Sequence, residues 1–260
     1  MADLIDTTAV VSPQAELGQN VKVGPYAVVE EDTVIGDETF IEAHATIKAQ
    51  TTIGRRCRIY PYASIGTDPQ DINYAGQETH LIIGDDNTIR EFTTINRGTP
   101  GGGGVTRIGD HNMLMAYTHV AHDCQIGSDV VMVNLATLGG HVVIEDWAVL
   151  GGVSAVHQFC RIGAHAFIGG MTGVERDVPP FCMASGQRAR LYGLNAVGLR
   201  RRGMPAETIR LLKEAYKSLF RNHGAVLAQS LDQVEAEMGD VPEVRQMIDF
   251  IRASTRGVCR

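Results

Sequence analysis

Aromatic residues are scarce in this sequence, 6% with a single Trp, which excludes a core packed from large rings. No run of 18 apolar residues occurs, so no membrane-spanning helix is expected. The start, MADLIDTT, carries Asp3 and Asp6 and lacks the basic-then-apolar pattern of an export signal. Cysteine is sparse and odd in number, five in 260 residues, which argues against a disulfide framework. These absences together predict a reduced, cytoplasmic protein.

What the sequence has is a repeat of six. Aliphatic residues fall at Ile5, Val11, Leu17, Val23, Val29, Ile35, Ile41, Ile47, Ile53, Ile59 and Ile65 without a miss. Two residues before each, from Ala9 to Ala63, stands a smaller one (Ala, Thr, Val or Cys). Six fits neither the helix period of 3.6 nor the strand period of two. It fits a chain that turns a corner every six residues, three sides closing a coil of 18. This is the signature of a parallel β-helix, whose coils bury their apolar columns only by stacking. Gly18, Gly36 and Gly54, 18 apart, are expected at corners where the backbone needs unusual angles. Cys57, Cys124 and Cys160 fall in the small interior column, where packing is the expected role.

Residues 66–82 lose the hexad, yet Ile83 follows Ile65 by the length of one coil, so this stretch reads as a coil that leaves the prism as a loop. A second loop at 97–107 contains Gly101 to Gly104. It has no Gly-Lys-Ser/Thr and no following helix, so it reads as a flexible loop and not a phosphate loop. The second run of hexads goes from Ile108 to Val174, and Pro179 and Pro180 end it. The β-helix is thus assigned to residues 1–187. Residues 188–260 read as a small helical domain: a turn from Asn195 to Arg202, then helices from Pro205 to about Asn222, Leu227 to Met238 and Pro242 to Ala253. That domain holds 13 Lys+Arg against 8 Asp+Glu, net +5, on a chain of net −7. A basic end on an acidic protein points to an acidic partner or a phosphate ligand; a nucleic acid is not expected.

Nine histidines are present, and their placement is informative. His122, His141 and His157 belong to hexads whose starts, Val120, Leu138 and Val156, are 18 apart, so three coils place a His on one side of the prism. His119 lies at the adjoining corner. None is at an interior position, so all should face outward, with Asp123 and Gln158 beside them. Residue types and spacing leave three roles open: a catalytic base with binding neighbours, a metal site, since three His suit Zn²⁺, or a subunit interface.

The segments THVAHDCQIG (118–127), TLGGHVVI (137–144), GGVSAVHQFCRIGAHAFIGG (151–170), DVPP (177–180), GLRRRG (198–203) and STRG (254–257) resemble the UDP-N-acetylglucosamine O-acyltransferase family. The resemblance covers nearly the whole chain. It implies a left-handed parallel β-helix, a homotrimer with active sites between subunits, and the first step of lipid A synthesis. An (R)-3-hydroxyacyl group would pass from acyl carrier protein to the 3-hydroxyl of UDP-N-acetylglucosamine, with no cofactor beyond the carrier's phosphopantetheine; no metal is expected, because Asp123 and Gln158 make the cluster a polar recognition set more than a bare three-ligand one. By the same resemblance His122 is the general base, Asp123 orients it, and the Gly140 amide stabilises the oxyanion. His119, His141 and Gln158 position sugar and phosphates, His157 lies near pantetheine or nucleotide, and Asp71 holds the sugar. Asn195, Arg201 and Arg202 bind uridine and pyrophosphate, and Gly170 leaves room for a long acyl chain of about 14 carbons. Asn73 and Asn96 depart from the usual Lys and His of the family. They raise the alternative of a 3-amino sugar acceptor, which would give an amide.

Overall fold

The computed structural model describes residues 4–221 and 226–260. Among the described residues, short strands form three sheets of nine, eight and ten strands, parallel but for the last strand of the third, the walls of a triangular prism. The first wall runs from Val10–Val11 to Gly173–Val174, the second from Glu16–Leu17 to Arg161–Ile162, and the third from Lys22–Val23 to Arg190–Leu194. Each strand pairs with its equivalent in the next coil, as Val28 does with Thr46 and Val131 with Val149. The fold is a left-handed parallel β-helix.

The hexad aliphatics fill the prism. Ile35, Ile41, Ile47, Ile53, Ile59 and Ile65 are all at most 1% exposed, each stacked between equivalents in the coils above and below. Cys57, Cys124 and Cys160 are buried with them as free thiols. Burial pushes these thiols up to about 11, 12 and 11 respectively, so they pack as small apolar groups.

The corners differ from expectation. Gly18, Gly36 and Gly54 do not take positive φ; that angle falls two residues later, and among the described residues 22 non-glycine residues take it, such as Asn20 (φ 56°), Tyr62 (φ 62°) and His141 (φ 61°). Left-handed backbone at non-glycine residues is costly, and stacking offsets it. At many of these corners the N–H reaches a carbonyl one coil away, as His44 does to Pro25 (3.0 Å) and His141 to His122 (3.0 Å). Gly36 is needed for a different reason: a Cβ there would stand 2.6 Å from the Gly54 carbonyl carbon.

The first loop also differs. Ile53 pairs with Ile83, where an uninterrupted coil would bring Asp71 beside it. Ile83 therefore stands on the second wall, the wall after that of Ile65. The loop is an insertion at one corner and not a whole coil. The second loop is a shorter insertion, since Thr94 pairs with His119 where an uninterrupted coil would bring Asn112. Both leave the prism at the edge between the first and second walls.

The third wall continues past Pro180 through Cys182–Ser185 and turns back on itself with antiparallel Arg190–Leu194. Among the described residues four helices follow: α1 (Ala196–Arg201), α2 (Ala206–Phe220), α3 (Leu227–Met238) and α4 (Pro242–Arg252). The helical spacing puts Ile209, Leu212, Tyr216 and Leu219 on one face of α2; Leu212, Tyr216 and Leu219 are buried there and Ile209 is half-buried. The expected end of that helix, Asn222, lies outside the described residues.

Candidate active site

The edge between the first and second walls collects most of the predicted residues. His119 is not at a corner but on the first wall, half-buried, its Nδ1 2.7 Å from Thr94 Oγ1. Burial first, and the neighbouring His122 second, hold its imidazole below the usual range. His122 and Asp123 follow at the corner. The Asp123 side chain is 1% exposed, and its Oδ2 lies 2.8 Å from His122 Nδ1. A carboxylate accepts only, so Nδ1 carries the hydrogen, and in the neutral imidazole Nε2 is then the bare nitrogen. His141, one coil on, meets His122 edge to face at 5.2 Å and stacks on Phe159 at 4.4 Å. Its Nε2 is 3.7 Å from Asp123 Oδ2. His122, Asp123 and His141 each offer a ligand atom within 4.8 Å of the others, a spacing that could hold a metal ion.

Gly140 faces the His122 ring. A Cβ at this position would stand 2.5 Å from Cε1 and 2.8 Å from Nε2, so only glycine lets the imidazole lie here. Its N–H makes no hydrogen bond among the described residues. Elsewhere in the coil the equivalent N–H donates to a carboxylate: Gln19 to Asp37 (2.7 Å), Arg55 to Asp85 (2.8 Å), Ser128 to Asp146 (2.8 Å) and, on this same edge, Ala49 to Glu30 (3.2 Å). This hexad position is a ready donor for an anionic oxygen.

His157 and Gln158 are exposed on the next coil. The Gln158 carbonyl is 3.1 Å and Arg256 Nη2 3.3 Å from His157 Nδ1, so the C-terminal STRG segment folds back onto this edge. Asp71 is in the first loop on the same edge, where its carboxylate accepts from the N–H (2.9 Å) and Nδ2 (3.2 Å) of Asn73. Asn96 is 2% exposed, and its Nδ2 donates to Thr67 Oγ1 and the Asp68 carbonyl. Both departures from the family pattern thus bind the first loop to itself or to the prism.

The remaining predicted residues lie on other edges of the chain. Asn195 caps α1, its Oδ1 accepting from Gly198 N–H and its Nδ2 donating to the His165 carbonyl. Arg202 donates to the Trp147 carbonyl (2.6 Å) and approaches His165 Nδ1 (3.2 Å), with its guanidinium 5.0 Å over the Trp147 ring. Burial lowers both this guanidinium and the His165 imidazole from their ordinary values. Arg201, Arg202 and Asn195 line a cavity of about 450 Å³ with Val149, Phe167 and Met183 of the third wall. Gly170 stands at the third edge. Positive φ there belongs to Met171, and a Cβ on Gly170 would meet nothing closer than the Gly152 carbonyl at 3.3 Å. No left-handed backbone demands glycine at 170, and a Cβ there would need a shift of a few tenths of an ångström.

Sequence reasoning missed Thr99. Its N–H donates to Asp123 Oδ1 (2.8 Å) and its hydroxyl to Oδ2 (2.6 Å). The loop at 97–107, read as flexible, packs on the carboxylate; a Cβ on Gly102 would strike it. The available signal was position, because the loop leaves the corner one coil before His122.

Comparison with known proteins gives the family. The model for UDP-N-acetylglucosamine O-acyltransferase domain 2 matches residues 177–259, and that for the bacterial transferase hexapeptide matches residues 32–67 and 106–140. The chain is 52% identical to the acyl-[acyl-carrier-protein]–UDP-N-acetylglucosamine O-acyltransferase of Thermodesulfovibrio yellowstonii, over 98% of this chain and 99% of that protein. Its counterpart in Halorhodospira halophila is 49% identical over the same shares. The solved structure of LpxA from Acinetobacter baumannii matches with a TM-score of 0.96 at 40% identity, covering 99% of this chain and 100% of that one. The Arabidopsis UDP-N-acetylglucosamine acyltransferase matches at 0.88 and 36%, over 99% and 100%. On these matches the chain belongs to the UDP-N-acetylglucosamine O-acyltransferase family, acyltransferases built on the hexapeptide repeat.

Proposed function

We propose that this protein transfers an (R)-3-hydroxyacyl group from acyl carrier protein to the 3-hydroxyl of UDP-N-acetylglucosamine, the first step of lipid A synthesis, in the cytoplasm. The observation that carries the reading is the His122 imidazole, fixed by Asp123 and packed against Gly140, whose N–H has no partner among the described residues. His122 Nε2 takes the 3-hydroxyl proton as that oxygen attacks the thioester carbonyl. The Gly140 N–H donates to the oxyanion that forms. Collapse breaks the C–S bond, and the departing thiolate takes the proton from His122. The thioester is already activated, so binding both substrates together suffices without a covalent enzyme intermediate, metal or resident cofactor.

His119, His141 and Gln158 would position sugar and phosphates, Asp71 the sugar, and His157 the pantetheine or nucleotide. Arg201 and Arg202 would hold the pyrophosphate and uridine, with Asn195 fixing the helix that presents them. These groups occupy different edges of one chain, so a homotrimer, in which the edge of one copy faces the third wall of the next, would complete each site. Sedimentation of the protein as a monomer would remove that assembly. The chemistry is tested by mass spectrometry of products from a panel of acyl carrier protein thioesters offered with UDP-N-acetylglucosamine and its 3-amino analogue. An ester on the 3-hydroxyl is expected. No product, or product from the amino sugar alone, would overturn the reading.

A further inference from the structure

We propose that Thr99 is a positioning residue for acyl transfer, and that the glycine-rich loop is the device that holds it against Asp123. The proposal deepens the reading of His122 as the base.

A carboxylate 1% exposed must have its lone pairs satisfied by donors, or burial neutralises it. Three donors reach Asp123: the Thr99 N–H on Oδ1, and the Thr99 hydroxyl and His122 Nδ1–H on Oδ2. Two of the three come from one loop residue. The direction of the hydroxyl hydrogen is also fixed. Thr99 Oγ1 accepts from the Gly102 N–H (3.2 Å) as the cap of a short 3₁₀ turn at Pro100–Gly102, so its hydrogen is free to point at Asp123. The strand that follows the loop, Val105–Ile108, holds the same residue by its backbone, for the Asp123 N–H donates to Thr106 Oγ1 (2.8 Å). Glycine at 102 lets the turn close onto the carboxylate. The loop and the strand after it hold Asp123 by its side chain and its backbone, and Asp123 in turn sets the plane and tautomer of His122. His119 and His141 are the other titratable groups beside this pair.

Thr99→Val keeps the shape and the N–H but removes the hydroxyl; Thr99→Ser keeps the hydroxyl. Thr99→Val should lower kcat by about ten- to hundredfold, the worth of a hydrogen bond to a charged group, and leave KM for the UDP-sugar within about twofold. Thr99→Ser should restore most of the loss. A readout independent of turnover is the low-field proton resonance of the His122 Nδ1–H, assigned by its disappearance in His122→Ala. It should shift or broaden in Thr99→Val and return in Thr99→Ser. A Thr99→Val protein with the resonance unmoved and kcat unchanged would overturn the proposal. So would kcat and melting temperature that fall together in both variants, because the residue would then only shape the loop. If His122→Ala kept its turnover, the base assignment would fail, while the resonance would still decide whether Thr99 orients the imidazole.

Discussion

Single side chains at this edge are set by what the coil around them allows. His122 projects outside the apolar column, so His122→Ala should fold as the parent does and lose turnover by a factor of about 10²–10⁴, the usual worth of a general base. Near-parental turnover in that variant would remove His122 from the mechanism. The adjacency of His122 and Asp123 at outward hexad positions was legible in the sequence, and the fold pairs their side chains, while the roles given to them came from the resemblance. Thr99 was not legible. A period reports which way each residue faces, whereas a loop of irregular backbone has no period, and only its folded path shows that it returns to the next coil. Phe159 was hidden for a related reason: it is an exposed aromatic in a hexad, and its stacking on His141 arises only once coils lie over one another.

At the scale of the coil, the aliphatic column was readable because one side chain in six has no alternative but the interior. The corners were misread, since glycine suggested positive φ where it instead relieves crowding between coils. The distinction is measurable. Gly36→Ala would drive a Cβ against backbone that cannot rotate away, and should cost about 1–3 kcal/mol in urea unfolding, as overpacking does. Gly101→Ala, with nothing within 4 Å of its Cβ, should change stability by no more than about 0.5 kcal/mol. Equal effects at the two sites would refute the crowding account. The first loop was misread for the same kind of reason. Ile65 and Ile83 are one coil apart by count, but the pairing of Ile83 with Ile53 shows that the intervening chain moves only one wall forward and spends the rest as an insertion.

For the whole molecule, acidity and charge are the accessible controls. His119 and His165 are both held below the ordinary 6.5, chiefly by burial. The unfolded chain therefore binds protons more readily at these positions. Their contribution to stability is complete above about 6.5 and drains away as pH falls through the folded values. Urea midpoints should fall between pH 7.5 and 5.5, and His165→Phe, which retains a ring between Trp147 and Phe181, should reduce the slope; a flat parental profile would count against it. The basic segment 188–260 should guide the acidic carrier. Charge reversal at exposed Arg200 should raise KM for the acyl donor, and added salt should shrink the difference; no change at low salt would make the segment a plain cap. The stacking of coils has one further consequence. Successive coils are about 4.8 Å apart, and a zigzag of C–C bonds of about 1.5 Å advances about 1.3 Å per carbon. An acyl tail lying along the prism axis therefore crosses one coil in about four methylenes. Gly152 and Gly170 occupy the same corner one coil apart, like adjacent marks on a gauge. A Met placed at 170 should shorten the preferred donor by about four carbons, and one placed at 152 should move the stop by a further coil. The fold would then count fatty acids in fours, and competition between donors of graded length should give preferences that jump by that unit instead of sliding.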